Sequence, residues 1–456
     1  MENTLNKRYG LITAITMVVG IVIGSGVFFK AEKILNCTGG DLKIGILAWV
    51  IGGLIMVVCA YTFSIMATKY EKVNGVVDYA EAMLGERDGY YLGWFMTVIY
   101  FPAMTSVLAW VSSRYLCVLL GWDITSGSCM VIAGFFLVAS FALNTLSPVL
   151  AGKFQVSTTV IKMIPLLLMA VIGTIKGLSS GLLIQNFTEV AIPASELGGK
   201  GYMLFTAVCA TSFAYEGWVI ATSINSEIKD AKKNLPSALI IGTLIVMATY
   251  ILYYVGLAGA VENAVMMEGG ESGARIAFAS VFSNVAGTLL FVFIVISCLG
   301  TLNGLMVATV RGLYSIASRG NGPRPDIMKQ VDPVVNMPVN SGVIGVLLVA
   351  GWLLYFYGAN LTEGWFGPFC FDSSELPVIT IYAMYIPIFL MIMKKEKDWG
   401  AFNRFIMPAL SICGCLIMVI AAIFAHRMAV VFYLIVFAVG MLIGVYCDKT
   451  KKNKAA

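Results

Sequence analysis

The most constraining feature of this sequence is an apolar segment, from about residue 9 to residue 34, with glycines at its centre. Roughly 20 apolar residues cross a bilayer as a helix, because each residue adds about 1.5 Å. Gly24-Ser25-Gly26 interrupts this helix, since each glycine weakens it by up to about 1 kcal/mol relative to alanine. In lipid, the freed amides and carbonyls are tolerated only where they line a cavity or meet a ligand. The pattern therefore predicts a discontinuous membrane helix, with close packing of small residues as the alternative.

The rest of the chain is equally apolar, since 59% of its 456 residues are hydrophobic and only 12% are charged. This composition excludes a soluble domain and predicts an all-α membrane protein of about 12 transmembrane helices. Polar segments at about 179–200 and 262–273 are predicted to be connections, and Val76 to Leu84 a short amphipathic helix. The predicted spans lie at about 9–34, 44–68, 90–120, 130–146, 154–175, 202–224, 238–261, 286–317, 339–357, 374–393, 405–424 and 428–446.

Lysine and arginine are concentrated in alternate connections between these spans. By the positive-inside rule, those connections and both termini are cytoplasmic. An even number of spans also requires both termini on one side, so the two arguments agree. We predict a multi-pass protein of the cell (inner) membrane. The basic residues are Lys7, Arg8, Lys69, Lys72, Arg87, Lys153, Lys229, Lys232, Lys233, Arg319, Arg324, Lys329, Lys394, Lys395, Lys397, Arg404, Lys449, Lys451, Lys452 and Lys454.

A second interruption lies in the sixth span, at Phe213-Ala-Tyr-Glu-Gly217. A carboxylate at this depth costs about 2.5–3.5 kcal/mol on insertion scales, so Glu216 marks a pathway or a partner. Matched interruptions in the first and sixth spans point to a substrate site between two inverted five-helix repeats. We predict one transport domain over 1–447 and a cytoplasmic tail over 448–456. Within it, the repeats lie at about 9–177 and 199–394, and two extra helices at about 403–447.

The motifs as a set resemble one family. The chain is similar to the amino acid–polyamine–organocation superfamily and, within it, to bacterial members of the L-type amino acid transporter branch. The resemblance covers spans one to ten and implies a LeuT-type 5+5 fold with broken helices 1 and 6. The motifs that carry it are Ile23-Gly-Ser-Gly-Val-Phe28, Phe213-Ala-Tyr-Glu-Gly-Trp218, Glu227 with Lys233-Asn-Leu-Pro236, Ser297-Cys-Leu-Gly-Thr-Leu-Asn-Gly304, Arg311 and Ser318-Arg-Gly-Asn-Gly322.

The resemblance also implies a function and roles for residues. It implies exchange of neutral L-amino acids by alternating access, with small substrates such as alanine, serine and threonine. Amides and the hydroxyl of Gly24, Ser25 and Gly26 would hold the substrate carboxylate. Carbonyls near Val22, Ile23 and Phe213 would take its ammonium, and Phe213 would gate the site. The predicted substrate-binding set is completed by Ala214, Tyr215, Glu216 and Gly217.

Several of these roles have structural alternatives. Ser25 could hydrogen-bond to its own helix, Phe213 and Tyr215 could be packing aromatics, and Asn303 could bond neighbouring helices together. Glu216 stands where some relatives have glycine, so it could favour a cationic side chain or pair with a neighbouring helix. A cationic amino acid or amine antiporter is therefore the second transport hypothesis.

Human members of this branch are tied by a cysteine to an accessory glycoprotein. Cys129 lies near that position in a poorly matching context, and we expect no such accessory heavy chain here. The ten cysteines are predicted to be buried free thiols.

Lys162 lies about a third of the way into the fifth span. A buried ammonium is costly, so it should pair or face the bundle interior, unless it reaches the interface along its flexible stem. We predict that it lies against carbonyls of the broken first span and hydroxyls of the eighth span, with Ser297 and Thr301 as candidates. In sodium-coupled proteins of this fold a sodium ion occupies that place, so a fixed ammonium predicts sodium-independent transport.

Other functional classes fit less well. A membrane enzyme needs a nucleophile and base, paired carboxylates or metal ligands, and the chain has a single histidine, His426, in a predicted loop. A channel needs a repeated filter or a charged ring, and neither is visible. No catalytic residue, metal, cofactor or nucleic-acid partner is predicted; the expected partners are a small amino acid and the lipid bilayer.

Overall fold

The computed structural model describes residues 10–70, 75–221, 228–269, 273–362 and 364–448. Lys7, Arg8, Lys72, Glu227 and the basic tail from Lys449 lie outside them. The described residues form α-helices joined by short connections. The helices are α1 (Leu11–Val22), α2 (Gly26–Cys37), α3 (Leu42–Lys69), α4 (Val76–Leu84), α5 (Glu86–Phe95), α6 (Phe101–Leu120), α7 (Gly127–Leu146), α8 (Pro148–Leu168), α9 (Thr174–Ser180), α10 (Leu182–Thr188), α11 (Lys200–Ala214), α12 (Trp218–Ala221), α13 (Ala231–Ala260), α14 (Asn263–Glu268), α15 (Gly273–Ala317), α16 (Pro325–Met328), α17 (Val339–Phe356), α18 (Leu376–Lys395), α19 (Met407–His426) and α20 (Ala429–Cys447).

Ten helical stretches in the described ranges are long and apolar enough to span a membrane, and the bent pair α1 and α2 is an eleventh. The remaining predicted span consists of α11 and α12, and its continuation at 222–227 lies outside the described residues. The predicted all-α membrane protein with broken first and sixth spans is therefore confirmed. We call the end reached by α2 at Cys37 the outer end, and the end at which α1 begins the inner end.

Four spans contain a π-helical turn. The turns at Met96–Tyr100 and Met169–Gly173 join two α-helices within one span, whereas Tyr357–Leu361 ends a span and Phe402–Ile406 begins one. The third span, α5 with α6, is central, because 89% of its most apolar 18-residue stretch is buried. The corresponding stretch of α20 is only 11% buried. Both spans that carry breaks contact it through side chains, Phe29 against Trp110 and Glu216 against Tyr100.

The connections differ from the predictions in three places. The polar segment at 179–200 contains the short helix α10, because Asn186 on it donates hydrogen bonds to the carbonyls of Ala258 and Val261 at 2.6 and 2.9 Å. The predicted loop at 262–273 contains α14 for a related reason, since the amide of Asn263 bonds back to the Asn186 side chain. Finally, α13 begins at Ala231, earlier than predicted, with Pro236 in its second turn.

One other local prediction agrees with the structure. The amphipathic helix α4 spans Val76–Leu84, as the pattern and the following glycine predict. Helix α15 begins before the predicted eighth span and bends at Ser283, where the backbone φ is 70°.

Candidate functional site

The first helix break is three residues long. α1 ends at Val22, α2 begins at Gly26, and their axes differ by 51°. Ile23 between them is extended, with φ −67° and ψ 104°. The first amides of α2 have no carbonyl one turn before them, so they present hydrogen-bond donors and the positive end of the helix dipole to the break. This geometry suits a carboxylate.

The second break separates α11, which ends at Ala214, from α12, which begins at Trp218. Gly217 adopts a φ of 102°, a conformation that side-chain-bearing residues rarely reach. The sequence Tyr-Glu-Gly therefore turns the chain without a hydrogen-bonded helix. The broken sixth span predicted from Glu216 and Gly217 is present.

The two breaks are in direct contact. A Cβ atom added to Gly26 would lie 2.6 Å from Cα of Ala214 and 3.3 Å from the carbonyl oxygen of Phe213. A Cβ on Gly217 would lie 3.3 Å from the carbonyl oxygen of Ile21. The absence of a side chain at Gly26 lets the donors at the start of α2 approach the end of α11. The fold thus joins the two segments predicted from the sequence.

Not every predicted residue points into this junction. Tyr215 donates its hydroxyl to the carbonyl of Trp49 at 2.9 Å, and its ring stacks on Tyr250. The carbonyl of Val22 accepts a hydrogen bond from the Tyr250 hydroxyl at 3.1 Å. In this structure Tyr215 is therefore a packing aromatic, the alternative raised by the sequence. The carbonyl of Val22 already accepts one hydrogen bond, from Tyr250.

Glu216 is buried and faces the third span. Its Oε1 accepts a hydrogen bond from the Tyr100 hydroxyl at 2.6 Å, and its Oε2 has no partner among the described residues. Tyr100 is the last residue of the π-helical turn Met96–Tyr100, which sets the direction of its side chain. Of the two alternatives raised by the sequence, pairing with a neighbouring helix is the one observed.

Two buried hydroxyls near the breaks also lack a hydrogen-bond partner in the part of the chain described. They are Ser25 Oγ at the first break and Ser297 Oγ on α15. Buried polar atoms in native proteins are nearly always paired, so orphaned ones mark places for a ligand or water. Thr301, one turn after Ser297, lies against the break, because a Cβ on Gly24 would be 2.9 Å from its Cγ2 atom.

Lys162 lies inside the bundle, with 2% of its surface exposed. Its ammonium donates a hydrogen bond to the carbonyl of Gly20, in the last turn of α1. Thr301 instead donates its hydroxyl to the Ser297 carbonyl at 3.0 Å. The ammonium thus contacts the broken first span, and no hydrogen bond from it to Ser297 or Thr301 is seen in the described ranges.

Aromatic rings cover the junction on its outer side. Phe29 makes edge contacts with Phe213 and with Trp110 of the third span, at centroid distances of 5.7 and 5.9 Å. The Lys30 ammonium lies 5.2 Å from the Phe213 ring centroid. The Phe213 ring therefore lies between the helix breaks and the outer end, which is the position expected of a gate.

Above the rings, a cluster of ion pairs binds α2 to the start of α18. Lys30 contacts Glu375 at 2.6 Å, and Lys33 contacts Glu375 at 2.6 Å and Asp372 at 2.8 Å. Burial raises the pKa of the Asp372 carboxyl, but the nearby cations, of which Lys33 contributes most, together outweigh burial and hold that pKa well below its ordinary value. The Lys33–Asp372 pair therefore stays ionised into acidic solution.

The sequence-based predictions include neither this cluster nor Arg114, which contacts Glu32 at 3.3 Å. The signal that marks such residues is a charge inside an apolar span, which applies to Lys30 on α2 and Arg114 on α6 as it does to Lys162. Their partners could not be inferred, because they come from distant parts of the chain.

The predicted burial of all ten cysteines is wrong in part. Six are buried, but Cys413 is exposed on the lipid-facing side of α19, where a small apolar side chain is tolerated. The thiol of Cys129 is buried, 3.3 Å from the Ser113 hydroxyl. His426 is the last residue of α19 and not a loop residue.

Comparison with known proteins identifies the family. Residues 9–446 match the family model described as amino acid permease. The chain belongs to the amino acid permease family. The predicted resemblance to the amino acid–polyamine–organocation superfamily and its L-type branch is thereby confirmed.

Similar proteins include one bacterial and two human transporters. The serine/threonine exchanger SteT of Bacillus subtilis (strain 168) is 29% identical over 420 residues, which cover 91% of this chain and 90% of that protein. The human large neutral amino acids transporter small subunit 2 is 24% identical, over 78% of this chain and 69% of that protein. The human cystine/glutamate transporter is 22% identical, over 75% and 66% respectively.

Proposed function

We propose that this chain exchanges small neutral L-amino acids, such as alanine, serine and threonine, across the membrane by alternating access and without sodium. The observation that carries the proposal is the contact between the two helix breaks at Gly26 and Ala214. Family membership and the similarity to a serine/threonine exchanger support it.

The proposed site lies at this contact. The amides of Gly24 and Gly26 and the Ser25 hydroxyl would bind the substrate carboxylate at the positive end of α2. The carbonyls of Ile23 and Phe213 would accept hydrogen bonds from its ammonium, with Val22 contributing less because Tyr250 already bonds to it. The unpaired hydroxyl of Ser25 is consistent with this role. Ala214 and Gly217 would leave room for a small substrate.

The topology and partners are proposed from the distribution of charge. Both termini would be cytoplasmic in the cell (inner) membrane, so that the outer end faces outside. The broken spans of the two repeats, which lie at about 9–177 and 199–394, would move relative to the other helices. The helices after residue 402 would remain peripheral. We propose that no disulfide-linked accessory chain is needed, because the cysteine nearest the expected position, Cys129, is buried.

A cationic amino acid or amine is the second candidate substrate, because Glu216 Oε2 is buried and unpartnered in the described structure. The bond from Tyr100 to Oε1 argues against it, since the carboxylate is already oriented toward the third span. We therefore expect neutral substrates to be preferred.

The test is exchange in proteoliposomes loaded with unlabelled amino acids, with labelled serine outside. Serine, alanine and threonine should stimulate uptake, and arginine, agmatine and putrescine should not. The same panel with Glu216→Gln provides the control for charge. Equal stimulation by arginine or putrescine in the unmodified protein, lost in Glu216→Gln, would establish the second candidate instead.

Phe213→Ala should lower the exchange rate about tenfold or more, because it removes the aromatic ring between the helix breaks and the ion-pair cluster, and the substrate is then positioned less well. The matched control is Phe135→Ala, since Phe135 is 66% exposed on the surface of α7. The exchange rate is divided by the amount of protein reconstituted into the liposomes, and a size-exclusion profile shows that each variant is folded. Wild-type kinetics in Phe213→Ala would remove Phe213 from the gate.

A further inference from the structure

We propose that Cys209, Glu375 and His426 form a binding site for a thiophilic divalent metal ion such as Zn²⁺ near the outer end of the protein. These residues belong to three separate helical elements, α11, the residue before α18, and the end of α19. The sequence predicts no metal site, because the chain has a single histidine. The fold supplies the other two ligands from distant positions.

The three ligand atoms have the spacing that a tetrahedral ion requires. The Cys209 sulfur lies 3.4 Å from Glu375 Oε2 and 3.5 Å from His426 Nε2, and those two atoms are 3.0 Å apart. With zinc bonds of about 2.3 Å to sulfur and about 2.0–2.2 Å to nitrogen and oxygen, tetrahedral ligand atoms are about 3.4–3.6 Å apart. Two distances already fit, and the third needs to open by a few tenths of an ångström.

Metal binding at this cluster would release one proton, from the Cys209 thiol. Glu375 uses Oε1 for Lys30 and Lys33, which leaves Oε2 for the metal. Neutral His426 would bind through the lone pair of Nε2, and Cys209 would bind as a thiolate, releasing its proton to solvent. With the thiolate formed, the dication adds one net positive charge beside two ammonium groups. Binding should therefore be weaker than at a closed structural zinc site and should weaken further as pH falls.

The site bridges parts that must separate when the outer end opens. Cys209 lies on α11, half of the broken sixth span, whereas Glu375 and His426 belong to the tenth and eleventh spans. In alternating access, the broken spans move relative to the rest of the fold. In this structure the contact of Phe29 with Phe213 and the ion pair of Lys30 with Glu375 close the outer end, and the ligand set is complete only in this closed state. A metal that binds only this state lowers the population of the outward-open state.

Metal binding is tested first on purified protein prepared without a polyhistidine tag, so that His426 is its only histidine. Titration with Co²⁺ should give the near-ultraviolet absorption of a thiolate–cobalt bond, reversed by EDTA and displaced by Zn²⁺. The band should be absent in Cys209→Ser and strongly reduced in His426→Ala, whereas Cys413→Ser, which changes the exposed cysteine of α19, should keep it. Absence of the band in the unmodified protein, or its persistence in Cys209→Ser, would overturn the site.

The effect on the gate is tested by serine exchange with Zn²⁺ in the external solution. At ten times its dissociation constant, a metal that binds only the outer-closed state should reduce the outward-open population about tenfold, and with it the rate of uptake. The inhibition should be lost in Cys209→Ser and in His426→Ala, each compared with its own rate in EDTA, and kept in Cys413→Ser. Equal inhibition in all three variants would overturn the proposal.

Discussion

Gly26→Ala should reduce amino acid exchange by about 10²-fold, the effect of misplacing reacting or binding groups by about 1 Å. The added Cβ would lie 2.6 Å from Cα of Ala214, and a backbone atom cannot move aside as the end of a flexible side chain can. The two helix breaks must therefore separate, and the donors at the start of α2 move away from the carbonyl of Phe213. We expect loss of binding together with loss of transport.

The measurement is serine binding to purified Gly26→Ala, alongside exchange in proteoliposomes. Gly134→Ala is the matched control, because a Cβ at that membrane-embedded glycine meets no atom within 4 Å. A thermal unfolding curve shows whether each variant is folded. Unchanged affinity for serine in a folded Gly26→Ala protein would exclude the contact between the breaks as the site.

The same site makes a prediction about ligand chemistry that needs no mutation. If α2 binds a carboxylate, ethanolamine and amino acid amides should not compete with serine for the wild-type protein. Strong competition by either would argue for recognition through the ammonium alone. The competition experiment therefore shows whether the substrate carboxylate is recognised at all, whereas Gly26→Ala shows whether it is recognised at this position.

The breaks themselves could be predicted from the sequence, because their cause is local. Gly24 and Gly26 inside an apolar segment, and Glu216 followed by Gly217, weaken a membrane helix whatever surrounds it. Helix α4 could be predicted for the same reason, from its own periodicity and the glycine that ends it.

Side-chain partners could not be predicted, because they depend on which helices become neighbours. Lys30 pairs with Glu375, 345 positions along the chain, and nothing near either residue indicates the other. The burial cost of a carboxylate marks Glu216 in the sequence, but only the fold shows that it faces Tyr100. The sequence predicts a loop where α14 forms, and this prediction is wrong because a hydrogen bond that holds the helix comes from the distant Asn186.

The last prediction concerns Lys162, and the buried position of its ammonium gives the physical reason. A buried ammonium must be compensated, and this one bonds to the carbonyl of Gly20 in the last turn of α1. Carbonyls at the C-terminal end of a helix are unpaired and carry the negative end of its dipole, so a cation there stabilises the end of the half-helix. A fixed ammonium makes a bound sodium ion unnecessary at this place.

Lys162→Ala should therefore lower serine exchange about tenfold or more in a folded protein, because the end of α1 loses its cation and the first break loses its geometry. Lys153→Ala is the control, since Lys153 is an exposed cation on the same helix. Wild-type uptake should be equal with sodium or choline outside at each pH tested. Clear stimulation of wild-type uptake by sodium, or full activity in Lys162→Ala, would show that Lys162 does not replace the ion. A lysine that substitutes for sodium must support transport without sodium, and transport must fall when the lysine is removed.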